Sequence, residues 1–116
     1  MGLSMHVLDT AQGRAGAGMR FQLVWLGEGG RKVLREGVTN LDGRTDAWLL
    51  AQDELRVGPY EMLFQVGAYF RAAGFDLPDP PFIGEVCLRF SVSDPAAHYH
   101  IPLLCSPYGY TTYRGS

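Results

Sequence analysis

Histidine is almost missing from this 116-residue chain: its three copies, His6, His98 and His100, lie in the first few residues and the last nineteen. Either they are scattered by chance, or the two ends of the chain meet in space and build a site together. Cysteine is equally sparse. Cys87 and Cys105 lack CxxC spacing and a matched set of histidines, which argues against a structural zinc site and for free thiols in a reducing compartment. No apolar run approaches the roughly 20 residues a membrane-spanning helix needs, so no membrane partner is expected. No basic run of five or more occurs and the net charge is −2, which argues against nucleic acid as a partner. Met1 to His6 has neither a cationic nor an apolar leader region, and the expected location is cytoplasmic. A Ser-His-Asp order and a GxSxG elbow are also missing, which disfavours a covalent acyl-enzyme.

What the chain does have is a period of two. A hydrophobic fraction of 47% with 19% charged residues suits a soluble globular fold. LSMHVLD, MRFQLVWL, KVLREGVTN, TDAWLL, PYEMLFQV, FIGEVCLRFSV, HYHIPLLC and YGYTTY each read as strands. GEGG after the second and Asp42-Gly43 in LDGR are turn signals, because glycine tolerates positive φ. AYFRAAG is the one plausible helix, stopped by Gly74, and DLPDPP can continue neither a strand nor a helix. The expected fold is all-β with one short helix, an antiparallel β-sandwich of about eight strands. No repeat, low-complexity segment or linker divides residues 1–116, so a single domain is expected.

Alternation also assigns faces. Leu3, Met5 and Val7 point to the core, which turns His6 outward with Ser4. Tyr99, Ile101 and Leu103 point inward, which turns His98 and His100 outward. Taken singly, each is an ordinary surface histidine, Arg44 a solvated turn residue, and TTYRGS a frayed terminus. HxH on one strand face is also half of a metal site, with His6 the one further imidazole available.

Several segments together carry a more specific signal. LSMHVLDTAQGRAGAG, VTNLDGRTD and HYHIPLLCSPYGYTTYRGS resemble the transthyretin-like proteins, and more narrowly the 5-hydroxyisourate hydrolase branch of that family. The resemblance spans essentially the whole chain. The closing Tyr113-Arg114-Gly115-Ser116 is its most specific part, because the hormone-carrying relatives keep an SPYGY-like segment but lack the histidines and this ending. Ala15 departs from the pattern, where a proline is common.

The resemblance implies a catalytic set of His6, Arg44, His100 and Ser116, with His98 the lesser member of the histidine pair. It implies substrate contacts from His6, Arg44, Tyr113, Arg114 and Gly115. It also implies a homotetramer with sites in a channel between subunits, and no metal or organic cofactor. The implied reaction opens the ring of 5-hydroxyisourate to 2-oxo-4-hydroxy-4-carboxy-5-ureidoimidazoline in urate catabolism. The residue types suit that chemistry. Imidazole, with a pKa near 6.5, can activate water; Arg44 offers a planar fork of donors to an oxygen-rich ring; Ser116 brings a hydroxyl and a terminal carboxylate. A tail can position such groups only if it is docked, and docking on a neighbouring subunit would make each site a composite of two chains. The competing expectations are a carrier of aromatic small molecules and a sandwich module that only binds other proteins.

Overall fold

The computed structural model describes residues 1–116. Two sheets form the sandwich. One contains β1 (Gly2–Asp9), β2 (Arg14–Ala15), β5 (Leu50–Ala51), β8 (Tyr99–Ser106) and β9 (Gly109–Thr112), in the order β2-β1-β8-β9 with β5 also on β1. The other runs β4-β3-β6-β7, from β4 (Lys32–Val38), β3 (Arg20–Trp25), β6 (Gly58–Gln65) and β7 (Glu85–Val92). A single α-helix, α1 (Val66–Ala72), follows β6 directly, and a one-turn 3-10 helix covers Gln52–Glu54. No helix is long and apolar enough to cross a membrane.

The inward residues expected from alternation are the ones the core uses. Leu3, Met5 and Val7 of β1 and Tyr99, Ile101 and Leu103 of β8 are buried against Leu23, Tyr60, Met62 and Phe64 of the opposite sheet. Every ladder is antiparallel except one. β1 and β8, from opposite ends of the chain, run parallel and in continuous register from Leu3↔Tyr99 to Asp9↔Cys105. Parallel neighbours cannot be joined by a hairpin, and here the rest of the domain forms the connection.

The helix starts two residues before the expected AYFRAAG. Val66, Tyr69 and Phe70 share one helical face and are buried, and that spacing satisfies a helix although Val66 alone reads as the end of a strand. Tyr69 donates its hydroxyl to buried Asp9 at 2.8 Å, and Asp9 also accepts from the backbone and side chain of Gln12. These bonds tie the helix and the turn after β1 to the end of the strand. Both thiols are free, Cys87 in one sheet and Cys105 in the other. Burial pushes the Cys105 thiol up to about 12, and burial, then the Glu61 carboxylate, raises that of Cys87. Neither is a nucleophile at neutral pH.

TDAWLL departs from expectation. Only Leu50–Ala51 pairs as a strand; Thr45 to Leu49 forms a strap along the free edge of β1. The strap is fastened at both ends by backbone bonds, Val7 donating to the Gly43 carbonyl at 2.8 Å and Leu49 donating to the Leu3 carbonyl at 2.9 Å. Its turn is organised by Asn40, whose Oδ1 accepts from the backbone N–H of Asp42 and of Arg44, and whose Nδ2 reaches Asp46. Gly43 has φ +73°, and a Cβ there would stand 2.3 Å from the Val7 carbonyl oxygen. Gly43→Ala is therefore expected to cost about 1–3 kcal/mol of stability through backbone strain and a displaced turn. Urea unfolding should show a lower midpoint with an unchanged slope, and an unchanged midpoint would contradict the tight approach at Gly43.

Candidate active site

Because β1 and β8 are parallel and in register, their outward residues form aligned rows: Ser4 opposite His100, His6 opposite Pro102, Leu8 opposite Leu104. His6 and His100 are diagonal neighbours on one face, as the two chain ends must meet for any shared imidazole chemistry. Both are half-buried. The strap rises on the β1 side of this row and the C-terminal tail on the β8 side. Between them lies a cavity of about 580 Å³, lined by Ser4, Arg44, Trp48, His98, His100 and Ser116 among others. A larger recess of about 710 Å³ lies elsewhere, between the turns flanking β2 and α1, and contains none of the histidines. Convergence of side chains, rather than size, marks the smaller one.

The tail docks on its own chain. The Gly115 N–H donates to the His100 carbonyl at 2.8 Å, making an isolated antiparallel bridge. A Cβ at Gly115 would sit 2.6 Å from His100 Cδ2, so only glycine lets the tail lie against the imidazole. Arg114 donates from Nη2 to the His98 carbonyl at 3.0 Å and lays its guanidinium over the Tyr99 ring at 4.2 Å. Unpaired backbone of β8 beside the tail gives it a seat within its own chain.

His100 is held on several sides. Its Nδ1 is 2.7 Å from Ser4 Oγ, its ring lies nearly parallel to His98 at 6.4 Å, and Gly115 covers Cδ2. Burial, then the positive charge of Arg44, then His6 and His98, hold its pKa below the ordinary imidazole value. His6 is lowered too, first by burial and then by Arg44, against an opposing backbone hydrogen bond and carboxylate at Asp42. Both imidazoles are consequently neutral at pH 7, with a lone pair free to accept a proton.

The structure gathers His100, Arg44 and Ser116 at one cavity, with His6 in the adjoining row and Gly115 against the His100 ring. It does not bring the other two expected residues to the lining. Tyr113 is 58% exposed, and the guanidinium of Arg114 is occupied by Tyr99 and the His98 carbonyl. Sequence reasoning missed Ser4 as a partner of His100, although it shares an outward face with His6. It missed Trp48 as well, whose indole stands edge-on to His98 at 5.3 Å and whose segment reads locally as a strand. His98 and His100 do not acquire a third metal ligand: no three His, Cys, Asp or Glu side chains are grouped.

Residues 3–115 match the HIUase/Transthyretin family. The chain belongs to that family. Among its relatives, 5-hydroxyisourate hydrolase 2 of Rhizobium meliloti is 50% identical over 114 residues, covering 98% of this chain and 95% of that one. The crystal structure of an (S)-allantoin synthase superposes with a TM-score of 0.93 at 41% identity; the match covers 99% of this chain but 43% of that longer one. Sea bream transthyretin in complex with thyroxine superposes with a TM-score of 0.85 at 25% identity, covering 99% and 95%. The family's fold is therefore the sandwich described above, an all-β transthyretin-like architecture with one short helix.

The shared influence of Arg44 can be measured directly. Arg44→Gln removes a cation that opposes protonation of both His6 and His100, so both should titrate at higher pH in the variant than in the native protein. NMR titration of the three imidazoles would show it. An unmoved pair would mean that burial alone depresses them.

Proposed function

We propose that this chain hydrolyses 5-hydroxyisourate to 2-oxo-4-hydroxy-4-carboxy-5-ureidoimidazoline. The observation that carries the reading is the meeting of His100, Arg44 and the tail in one recess, with His6 in the adjoining row, in a chain half identical to a 5-hydroxyisourate hydrolase. In the proposed reaction, water attacks the carbonyl carbon of the ring amide while an imidazole takes one of its protons. The new C–O bond places negative charge on the former carbonyl oxygen, which the Arg44 guanidinium is suited to bind. Collapse re-forms the carbonyl and breaks the C–N bond, and the imidazolium returns its proton to the departing nitrogen. The product is a carboxylate with an open ureido arm. Water is added across one bond, and no redox partner, metal or organic cofactor enters the balance.

His6 and His100 share proton transfer and the orientation of water. Ser116 supplies a hydroxyl at the cavity, Gly115 admits the tail, and Arg114 anchors it. Tyr113 is left to the assembled form, a homotetramer in which the outward face of the five-stranded sheet is covered by another subunit. Half-buried Leu8 and Leu104 and exposed Tyr113 support such a covering. A carrier of apolar aromatic ligands has no use for two neutral imidazoles beside a guanidinium, which favours the hydrolase over that alternative.

Freshly generated 5-hydroxyisourate, followed by its absorbance, tests the activity. His6→Ala and His100→Ala should each fold and assemble yet lose about 10²–10⁴-fold in kcat, the usual worth of a general base or acid. Arg44→Lys should also be impaired, since an ammonium keeps the charge but loses the fork. Native rates in any of these purified variants would remove that residue from the mechanism. Because both imidazole pKa values are lowered, activity should persist as pH falls to 6.5 and decline only below it. An acid limb centred above 6.5 would contradict the lowering of the imidazole pKa values, and a flat profile down to pH 5 would remove histidine as the base.

Assembly is tested by sedimentation, with a mass four times that of the chain expected; a fully active monomer would remove the interface from the site. Since the tail docks on its own β8, subunits carrying His100→Ala should not rescue subunits lacking Tyr113 to Ser116. Restored activity after refolding the two together would show that tails exchange between chains.

A further inference from the structure

We propose that Ser4 is a positioning residue that fixes the tautomer of His100, with Nδ1–H donating to Ser4 Oγ and Nε2 left as the proton acceptor. The proposal rests on the hydrolase reading for its catalytic consequence, but the tautomer itself does not.

Ser4 and His100 are directly opposed in the parallel ladder, both facing outward, so their 2.7 Å contact is set by backbone register and not by a flexible reach. The contact allows two arrangements, because a hydroxyl both donates and accepts while a neutral imidazole carries one N–H. If Ser4 donates, Nε2 carries the hydrogen and cannot accept a proton from water. If Ser4 accepts, Nε2 keeps its lone pair. Electrostatics separates the two. Arg44 lines the same cavity, and its charge disfavours protonation of His100. With Nδ1 taken by Ser4, Nε2 is the ring nitrogen left to respond to that charge, and a nearby cation favours a lone pair over an N–H there. Ser4 Oγ has no other side-chain or backbone partner, so nothing in the chain competes for its lone pairs, and its own hydrogen is free to turn to water.

The rest of the surroundings disfavours a flipped ring. The Gly115 backbone lies against Cδ2, and the His98 ring is stacked nearly parallel at 6.4 Å. Flipping the imidazole would place carbon against Ser4 Oγ and nitrogen beneath the tail, losing the one hydrogen bond the ring makes within the chain. Arg44, His6 and His98 act on the charge of His100; Asp46 and the chain-terminal Ser116 also line the cavity, but neither hydrogen-bonds to the ring, and Asp46 accepts from Asn40. The arrangement uses the same logic as a third group orienting a catalytic histidine elsewhere, with a neutral hydroxyl in place of a carboxylate.

The experiment is ¹⁵N NMR of the histidine-labelled protein at a pH where His100 is neutral, assigned with His100→Ala and compared with Ser4→Ala and Ser4→Thr. The native protein should show His100 as the Nδ1–H tautomer. Ser4→Ala should shift it toward Nε2–H, lower kcat by about 10–100-fold with little change in KM, and move the acid limb of the pH profile. Ser4→Thr keeps a hydroxyl on a strand position that accepts β-branching and should restore both tautomer and kcat. An Nε2–H tautomer in the native protein would overturn the proposal, as would a Ser4→Ala protein that keeps the Nδ1–H tautomer or the native kcat. If the native tautomer and its response to Ser4→Ala are as stated but the native protein fails to open 5-hydroxyisourate, the hydrolase reading falls and the positioning role stands.

Discussion

The parallel pairing of β1 with β8 is the constraint on which everything else depends. It joins the two ends of the chain in register, and by doing so turns isolated outward residues into rows. Ser4 meets His100 because of that register, and His6 comes to lie diagonally from it. A shift of one residue would send Ser4 and His6 into the core and Leu3, Met5 and Val7 to the surface. Burial of those apolar side chains therefore fixes the register, and the register fixes the relation between the imidazoles.

Two attachments complete the recess, one on each side of the pair. The strap fastens to the edge of β1 through Gly43 and Leu49, and its turn carries Arg44. The tail fastens to β8 through Gly115 and Arg114, and carries Ser116. The strap is held by backbone hydrogen bonds and the tail by one backbone bond and the Arg114 side chain, with few buried side chains in either, so they are the parts most free to open without unfolding the sandwich. Polar groups placed on such rims around a packed scaffold can change chemistry without disturbing the core. That division explains how sea bream transthyretin, in complex with thyroxine, keeps the same sandwich at 25% identity. The sandwich sets where a ligand can sit; the groups at the recess set what happens to it.

Arg44 also acts on both histidines at once. Its charge lowers their proton affinity, which keeps them unprotonated at neutral pH while leaving a cation facing the same space. A neutral base and a positive charge side by side suit a reaction in which a proton is removed and an oxyanion forms.

Much of this was legible in the sequence because it depends on local periodicity. The alternation of Leu3, Met5 and Val7, and of Tyr99, Ile101 and Leu103, names the buried and outward faces without knowledge of any partner strand. The Asp42-Gly43 turn and the YRGS ending are likewise local signals. What the sequence could not decide was which strand lies beside which, because register comes from burial across the whole sandwich. Hence Ser4 passed as an ordinary outward residue, and TDAWLL read as a strand although the edge of β1 takes it as a strap. The seat of the tail was likewise hidden, since nothing local reveals that β8 leaves backbone free to hold it. Residue types and faces were determined by the sequence by itself; the contacts of Ser4 with His100 and of Gly115 with the imidazole were decided only by tertiary structure, where long-range packing sets distances that local patterning cannot carry.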